Sequence, residues 1–197
     1  MSVFFYVKFI IGSDDARLHT KYGFTSMRIT ALAVLLLIFS AAPAGSQNAG
    51  EAGDVQIISQ FSGKPVPRFE SLRYAAANGR KGPSLDYPIQ WRYERMGLPV
   101  LILKESQDWR WVRDPDGDEV WIHARMLSSQ QTVLVRSETI LRKTPAEDAP
   151  GVATLEPGVV ADLNQCMDGW CQVELTGRKG WIVKSVLWGG DINETGL

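Results

Sequence analysis

Only two cysteines and two histidines occur in 197 residues, and beyond position 46 the one histidine is His123. Catalysis by a cysteine–histidine pair, or a zinc site of cysteine and histidine ligands, is therefore poorly supplied. No stretch pairs a strand, an exposed serine and a following helix, the context a serine hydrolase needs. Charge of one sign is missing too. From Gln47 onward 17 basic residues face 20 acidic ones, a net of −3, with no polybasic tail, which excludes a nucleic-acid footprint. Helical periodicity is nearly absent. Ser71 to Asn78 (SLRYAAAN) is the one ambiguous segment, readable as a short helix or, by the internal alignment below, as a first strand.

What is abundant is repetition. Arg80 to Pro88 reads RKGPSLDYP and Arg142 to Pro150 reads RKTPAEDAP. The match continues through Gly97 and Gly158, Asp108 and Asp168, Trp109 and Trp170, Val112 and Val173, Gly117 and Gly177, Trp121 and Trp181, Ile122 and Ile182, and Leu127 and Leu187. The offset drifts only from 62 to 61 to 60, Asp108 alone pairing at 60 between neighbours at 61, and the lasting drops lie where a surface loop tolerates a length change. Two small modules of about sixty residues follow, each near the lower size at which one core supports folding. All seven tryptophans lie in the repeated region, where large rings help small cores.

Ahead of the repeats, Met27 and Arg28 precede the apolar run Ile29 to Ala42, and small residues follow at Ala44, Gly45 and Ser46. That order is a secretory signal. The run is shorter than the about 20 residues that span a membrane, so no stable span is expected after cleavage near Ala44 or Ser46. An uncleaved anchor is the alternative. Residues 1–46 are read as presequence, with translation starting at Met27, and 47–65 as linker. The modules occupy 66–128 and 132–189, and 190–197 is a tail.

Within each module short strands alternate with turn signals, the mark of a small antiparallel barrel or sandwich. Asp114 to Gly117 closes one hairpin and Thr176-Gly177 its counterpart; Gln107-Asp108 and Asp168-Gly169 close the preceding ones. Cys166 and Cys171 flank Asp168-Gly169, so their sulfurs face each other across adjacent strands. Export makes a structural disulfide the favoured reading. A redox pair is the sharper alternative, but its two-residue spacing is absent. The acidic run Asp114, Asp116, Asp118, Glu119 begins like a calcium loop yet lacks the twelve-residue pattern, and is read as solvated charge in an exposed turn.

The order GPSLDYP, Gly97 and Pro99, Asp108-Trp109, Val112, Gly117, Trp121-Ile122 and Leu127, present twice, resembles the bacterial SH3-like domains of exported and cell-wall proteins. From Val66 to Gly189 the chain looks like exported alphaproteobacterial proteins with tandem domains of this type. The resemblance implies an all-β fold of two tandem SH3-like β-barrels, each of five or six strands, behind a signal peptide. It implies a periplasmic or otherwise exported binding module for peptidoglycan or peptides, with no catalytic residues, cofactor or metal. One departure stands out: the family carries an aliphatic residue where this chain has Gly79, while the second copy keeps Leu141. The first strand of the first barrel is accordingly expected to be weaker or shifted.

A binding surface is expected on the first barrel. Alternation sets Trp109 and Trp111 on one face of their strand and Val112 on the other; with Val112 in the core, both indoles point outward. Tyr87 and Pro88, on the loop after the first strand, and Trp91 would adjoin them. In the second copy Ala149 replaces Tyr87 and Gln172 replaces Trp111, so the first barrel is the better candidate. Trp121 and Trp181 read as core or rim supports and His123 as a surface residue. Cell-wall glycan or peptide is the expected partner. The alternatives are a periplasmic interaction scaffold, an accessory subunit of an envelope enzyme, or aromatics buried between the two barrels.

Overall fold

A computed structural model describes residues 8–10 and 57–190. The expected signal peptide, its cleavage site and the tail after 190 lie outside the described residues. In chain order the strands are β1 (Lys8–Ile10), β2 (Ile57–Ile58), β3 (Pro65–Val66), β4 (Arg68–Leu72), β5 (Ala77–Arg80), β6 (Ile89–Tyr93), β7 (Pro99–Ser106), β8 (Trp109–Arg113), β9 (Glu119–His123) and β10 (Leu127–Ser128). The second module follows with β11 (Thr132–Val135), β12 (Thr139–Arg142), β13 (Gly151–Leu155), β14 (Val160–Met167), β15 (Trp170–Leu175), β16 (Arg178–Val183) and β17 (Leu187–Trp188). Single 3-10 turns at Ala124–Met126 and Lys184–Val186 precede the last strand of each. Among the described residues no helix is long and apolar enough to cross a membrane.

The two modules share one topology. The first sheet runs β1-β6-β5-β9-β8-β7-β4-β10 and the second β13-β12-β16-β15-β14-β11-β17, all antiparallel. The turn chemistry is what the sequence demands: Asp168, Gly169, Thr176 and Gly177 all take positive φ, the backbone that two-residue hairpins need to match strand twist. Each long loop is closed by the same device. Arg80 donates from Nη1 to the carbonyl of Tyr87 at 2.7 Å and Arg142 to that of Ala149 at 2.8 Å, while the N–H of Lys81 or Lys143 reaches the carbonyl of Pro88 or Pro150 at 3.1 Å.

Each barrel closes on its own apolar core. Tyr93, Leu98, Leu101, Ile102, Val112 and Ile122 fill the first, and Val133, Leu141, Val173 and Ile182 the second. Leu134 and Trp188 belong to the first core although they come from the second module. Trp188 meets Phe69 edge-on at 5.2 Å and donates its indole N–H to the carbonyl of Pro99 at 3.1 Å. Thr132, buried, donates to the carbonyl of Gly97 at 2.6 Å and shares a 2.6 Å hydrogen bond with Ser71. The aromatic that joins the barrels is thus Trp188.

Several sequence expectations change. Ser71 to Asn78 is neither helix nor single strand: β4 ends at Leu72, the chain bends, and β5 starts at Ala77. The linker expected over 47–65 ends in a two-stranded hairpin, β2 with β3, pinned because Ser59 and Ser62 donate to Glu105 at 2.6 and 2.9 Å. Within the expected presequence, Lys8–Ile10 adds a strand to β6, whose outer edge offers unpaired backbone groups. β5 still pairs with β6 on one side and β9 on the other, and its register shifts at Gly79/Arg80 as that of β12 does at Leu141/Arg142, so the shift is common to both copies rather than particular to Gly79. Its missing side chain is required, since a Cβ there would stand 2.7 Å from Val120 and 3.0 Å from Tyr93. Asp114 is no solvated turn residue. It is fully buried, accepting from the Tyr93 hydroxyl and from the N–H groups of Asp116 and Asp118, all at 3.0 Å. Burial of a carboxylate is tolerated because donors replace its water.

Candidate functional site

The outer face of the first barrel is built by register. β7, β8 and β9 set Lys104 opposite Trp111 and Trp111 opposite Trp121, and β5 sets Arg80 opposite Trp121. A row of cation, indole, indole, cation therefore crosses four strands. The two indoles stack 16° from parallel with centroids 6.2 Å apart, and the Lys104 ammonium lies 3.8 Å from the Trp111 centroid and 5.6 Å from that of Trp121. Cross-strand aromatic pairs and exposed cation–π contacts are each worth about 0.5–1 kcal/mol, enough to hold the rings flat without burying them. Both indoles are half-buried.

The neighbouring row differs. Trp109 faces Ser106 on one side and His123 on the other. Alternation does put Trp109 on the face of Trp111, opposite the fully buried Val112. Yet Trp109 is only 8% exposed, because the His123 ring packs against it at 5.2 Å. The outward-pointing indole expected there is covered. His123 is half-buried, and its Nδ1 accepts the N–H of Arg125 at 3.2 Å, capping the 3-10 turn. A cavity of about 250 Å³ follows, lined by Trp109, His123, Asn78 and the arginines 80, 92 and 125, among others.

The five residues expected to form one depression are thus divided. Trp109 lines the cavity; Tyr87, Pro88, Trp91 and Trp111 do not. Trp111 belongs to the indole stack. Tyr87 is 46% exposed and lies over Gly82, where a Cβ would fall 2.5 Å from the ring. Pro88 is exposed in the same loop. Trp91, half-buried, packs against the first core rather than joining the face. Trp121, read as core or rim support, is the residue missed. The signal was present, because Trp111 and Trp121 flank the hairpin Asp114 to Gly117 at cross-strand positions, but the register that makes them partners depends on the turn's length.

Behind this face lies a charged network. The Glu105 side chain is fully enclosed and meets Arg68 at 2.6 Å and Arg110 at 3.2 Å besides Ser59 and Ser62. Burial by itself pushes the Glu105 carboxyl up. The donors from Ser59, Arg68 and Ser62, with the Arg68 charge, outweigh that and hold it below the ordinary carboxylate range. In the second barrel Cys166 and Cys171 form a disulfide at directly paired positions, with Cα atoms 4.0 Å apart. Among the described residues no three histidine, cysteine, aspartate or glutamate side chains are grouped to hold a metal.

The bacterial SH3 domain family matches residues 73–129 and 135–189, and the chain belongs to that family, with one domain in each barrel. Two solved structures are similar to it. One is NlpC2 from Trichomonas vaginalis, at 17% identity over 62% of this chain and 48% of that one, with a TM-score of 0.29. The other is NlpC1 from the same organism, at 18% identity over 66% of this chain and 48% of that one, with a TM-score of 0.30. The chain spans about half the length of each. No curated protein matches it. Membership of the family points to a cell-wall-related binding module. The disulfide fits an exported protein, since such bonds persist outside the reducing cytoplasm.

Proposed function

We propose that this chain is a non-catalytic binding module of the periplasm that recognises peptidoglycan, or a peptide of the cell envelope, through the outer face of the first barrel. The observation that carries the reading is the half-buried Trp111–Trp121 stack with the Lys104 ammonium 3.8 Å from the Trp111 ring centre. Flat indoles fixed by rigid strands offer a surface on which a sugar ring or a peptide plane can stack at little cost in side-chain entropy. Trp188, not this pair, fills the junction with the second barrel, so the stack is left to meet a partner.

The test replaces Trp111 and Trp121 by alanine, singly and together, in the full chain and measures retention on purified cell wall. Each single variant is expected to lower retention by about 10-fold, the loss of one aromatic anchor. Unchanged retention, with near-ultraviolet circular dichroism showing an intact fold, would remove the reading.

A further inference from the structure

The cavity beside the indole stack has its own chemistry. Three arginines line it, Arg80, Arg92 and Arg125, and no carboxylate does. Their donors are only partly used. Arg80 spends Nη1 on the carbonyls of Leu85 and Tyr87, leaving Nε and Nη2. Arg92 spends Nε on Glu94 at 3.1 Å, leaving both terminal nitrogens. The Arg125 side chain is exposed and has no partner among the described residues. Because His123 Nδ1 accepts the Arg125 N–H, the neutral ring carries its proton on Nε2 and adds one more donor.

This surplus of donors stands in a concave site whose wall is held by strands. Guanidinium forks match a carboxylate in plane and spacing better than they match a point charge. Apart from Asn78 and His123 the rest of the lining is apolar: Trp109, Leu85 and Met126 can receive a small aliphatic group next to the anion. The end of a peptide offers this pair of features, a carboxylate with a small apolar side chain beside it.

We infer that this cavity is a carboxylate subsite that takes the C-terminal carboxylate of a short peptide. Arg125 supplies the unused fork, Arg80 and Arg92 supply field and second donors, and Trp109 packs against the terminal side chain. The inference rests on the cell-envelope reading only for where such a peptide comes from, and the two can fail separately.

The test titrates the full chain with acetyl-Ala-Ala bearing D residues and a free carboxylate, following tryptophan fluorescence and indole N–H resonances. The same peptide as its C-terminal amide, glucuronate and inorganic phosphate form the other arms. The free acid should bind at least about 10-fold tighter than the amide. Arg125→Gln should weaken acid binding by about 10-fold with the amide unaffected, and Arg125→Lys should restore part of it. Equal binding of acid and amide, or acid binding unchanged in Arg125→Gln, would overturn the inference. So would tighter binding of glucuronate or phosphate than of the peptide acid. If wall retention collapses in Trp111→Ala while Arg125→Gln leaves acid binding untouched, this inference fails alone. If Arg125 controls acid binding while Trp111→Ala retains the wall fully, only the indole reading fails.

Discussion

The two barrels solve one packing problem with different residues. At the second paired position from the β7–β8 turn the first barrel sets Glu105 against Arg110, an ion pair at 3.2 Å, and at the equivalent β14–β15 position the second sets Cys166 against Cys171, a covalent bond. One row further along, Lys104, Trp111, Trp121 and Arg80 correspond to Gln165, Gln172, Trp181 and Arg142. The strand pairing is the same and the arginine stays; the lysine and one indole are gone. Trp181 is only 8% exposed, where Trp121 is half-buried in a stack. The duplication has therefore kept what closes a barrel and varied what an outer face can hold, and the proposed binding chemistry is confined to one copy.

The cores show a second exchange. In the first barrel Gly79 on β5 lies against Val120 on β9; in the second, Leu141 on β12 lies against Gly180 on β16. Large and small have traded places across the same strand pair. A Cβ on Gly180 would stand 2.5 Å from Leu141 and 2.8 Å from the Arg142 carbonyl, so neither core accepts the other's residue singly.

Forcing one core's residues onto the other should have the largest effect on stability. Gly180→Val should destabilise the protein by about 3 kcal/mol, seen as a lower urea midpoint. Adding Leu141→Gly should recover only part, because the Arg142 carbonyl remains in the way. An unchanged midpoint in the single variant would end the claim of exchanged volumes. Next in size is the sulfur bridge. Replacing Cys166 and Cys171 by serine should cost about 2 kcal/mol, the value for a very short closed loop, with faster amide exchange concentrated in β14 and β15. Exchange rising equally in β7 and β8 would contradict its assignment to the second barrel.

The smallest global effect is expected from acid, and it should fall on one barrel. Glu105 is held below its ordinary carboxylate range in the folded state, so it contributes stability that is present above that range and lost as pH falls through its depressed value. Acidification should release the β2–β3 hairpin first, read as amide exchange at Ser59 and Gly63, whose backbone hydrogen bonds close it. Glu105→Gln should exchange fast there at every pH. Hairpin protection that ignores pH would sever the link to Glu105.

Much of this was legible beforehand. The repeat, the turns at Asp168-Gly169 and Thr176-Gly177, the facing cysteines and the shared face of Trp109 and Trp111 all follow from local rules: positive φ at fixed places, period-two alternation and the short reach of a hairpin. The chain's order of residues thus determined two barrels of one family, where their hairpins turn, and which side of β8 each indole leaves from. Tertiary structure decided what covers each ring. Trp109 is shut by His123, Trp91 turns to the core, Trp188 crosses between barrels and Trp121 meets Trp111, because exposure depends on which distant strand lies opposite and on the register its turn imposes. Those partners are set by closure of the whole sheet, and no window along the sequence contains it.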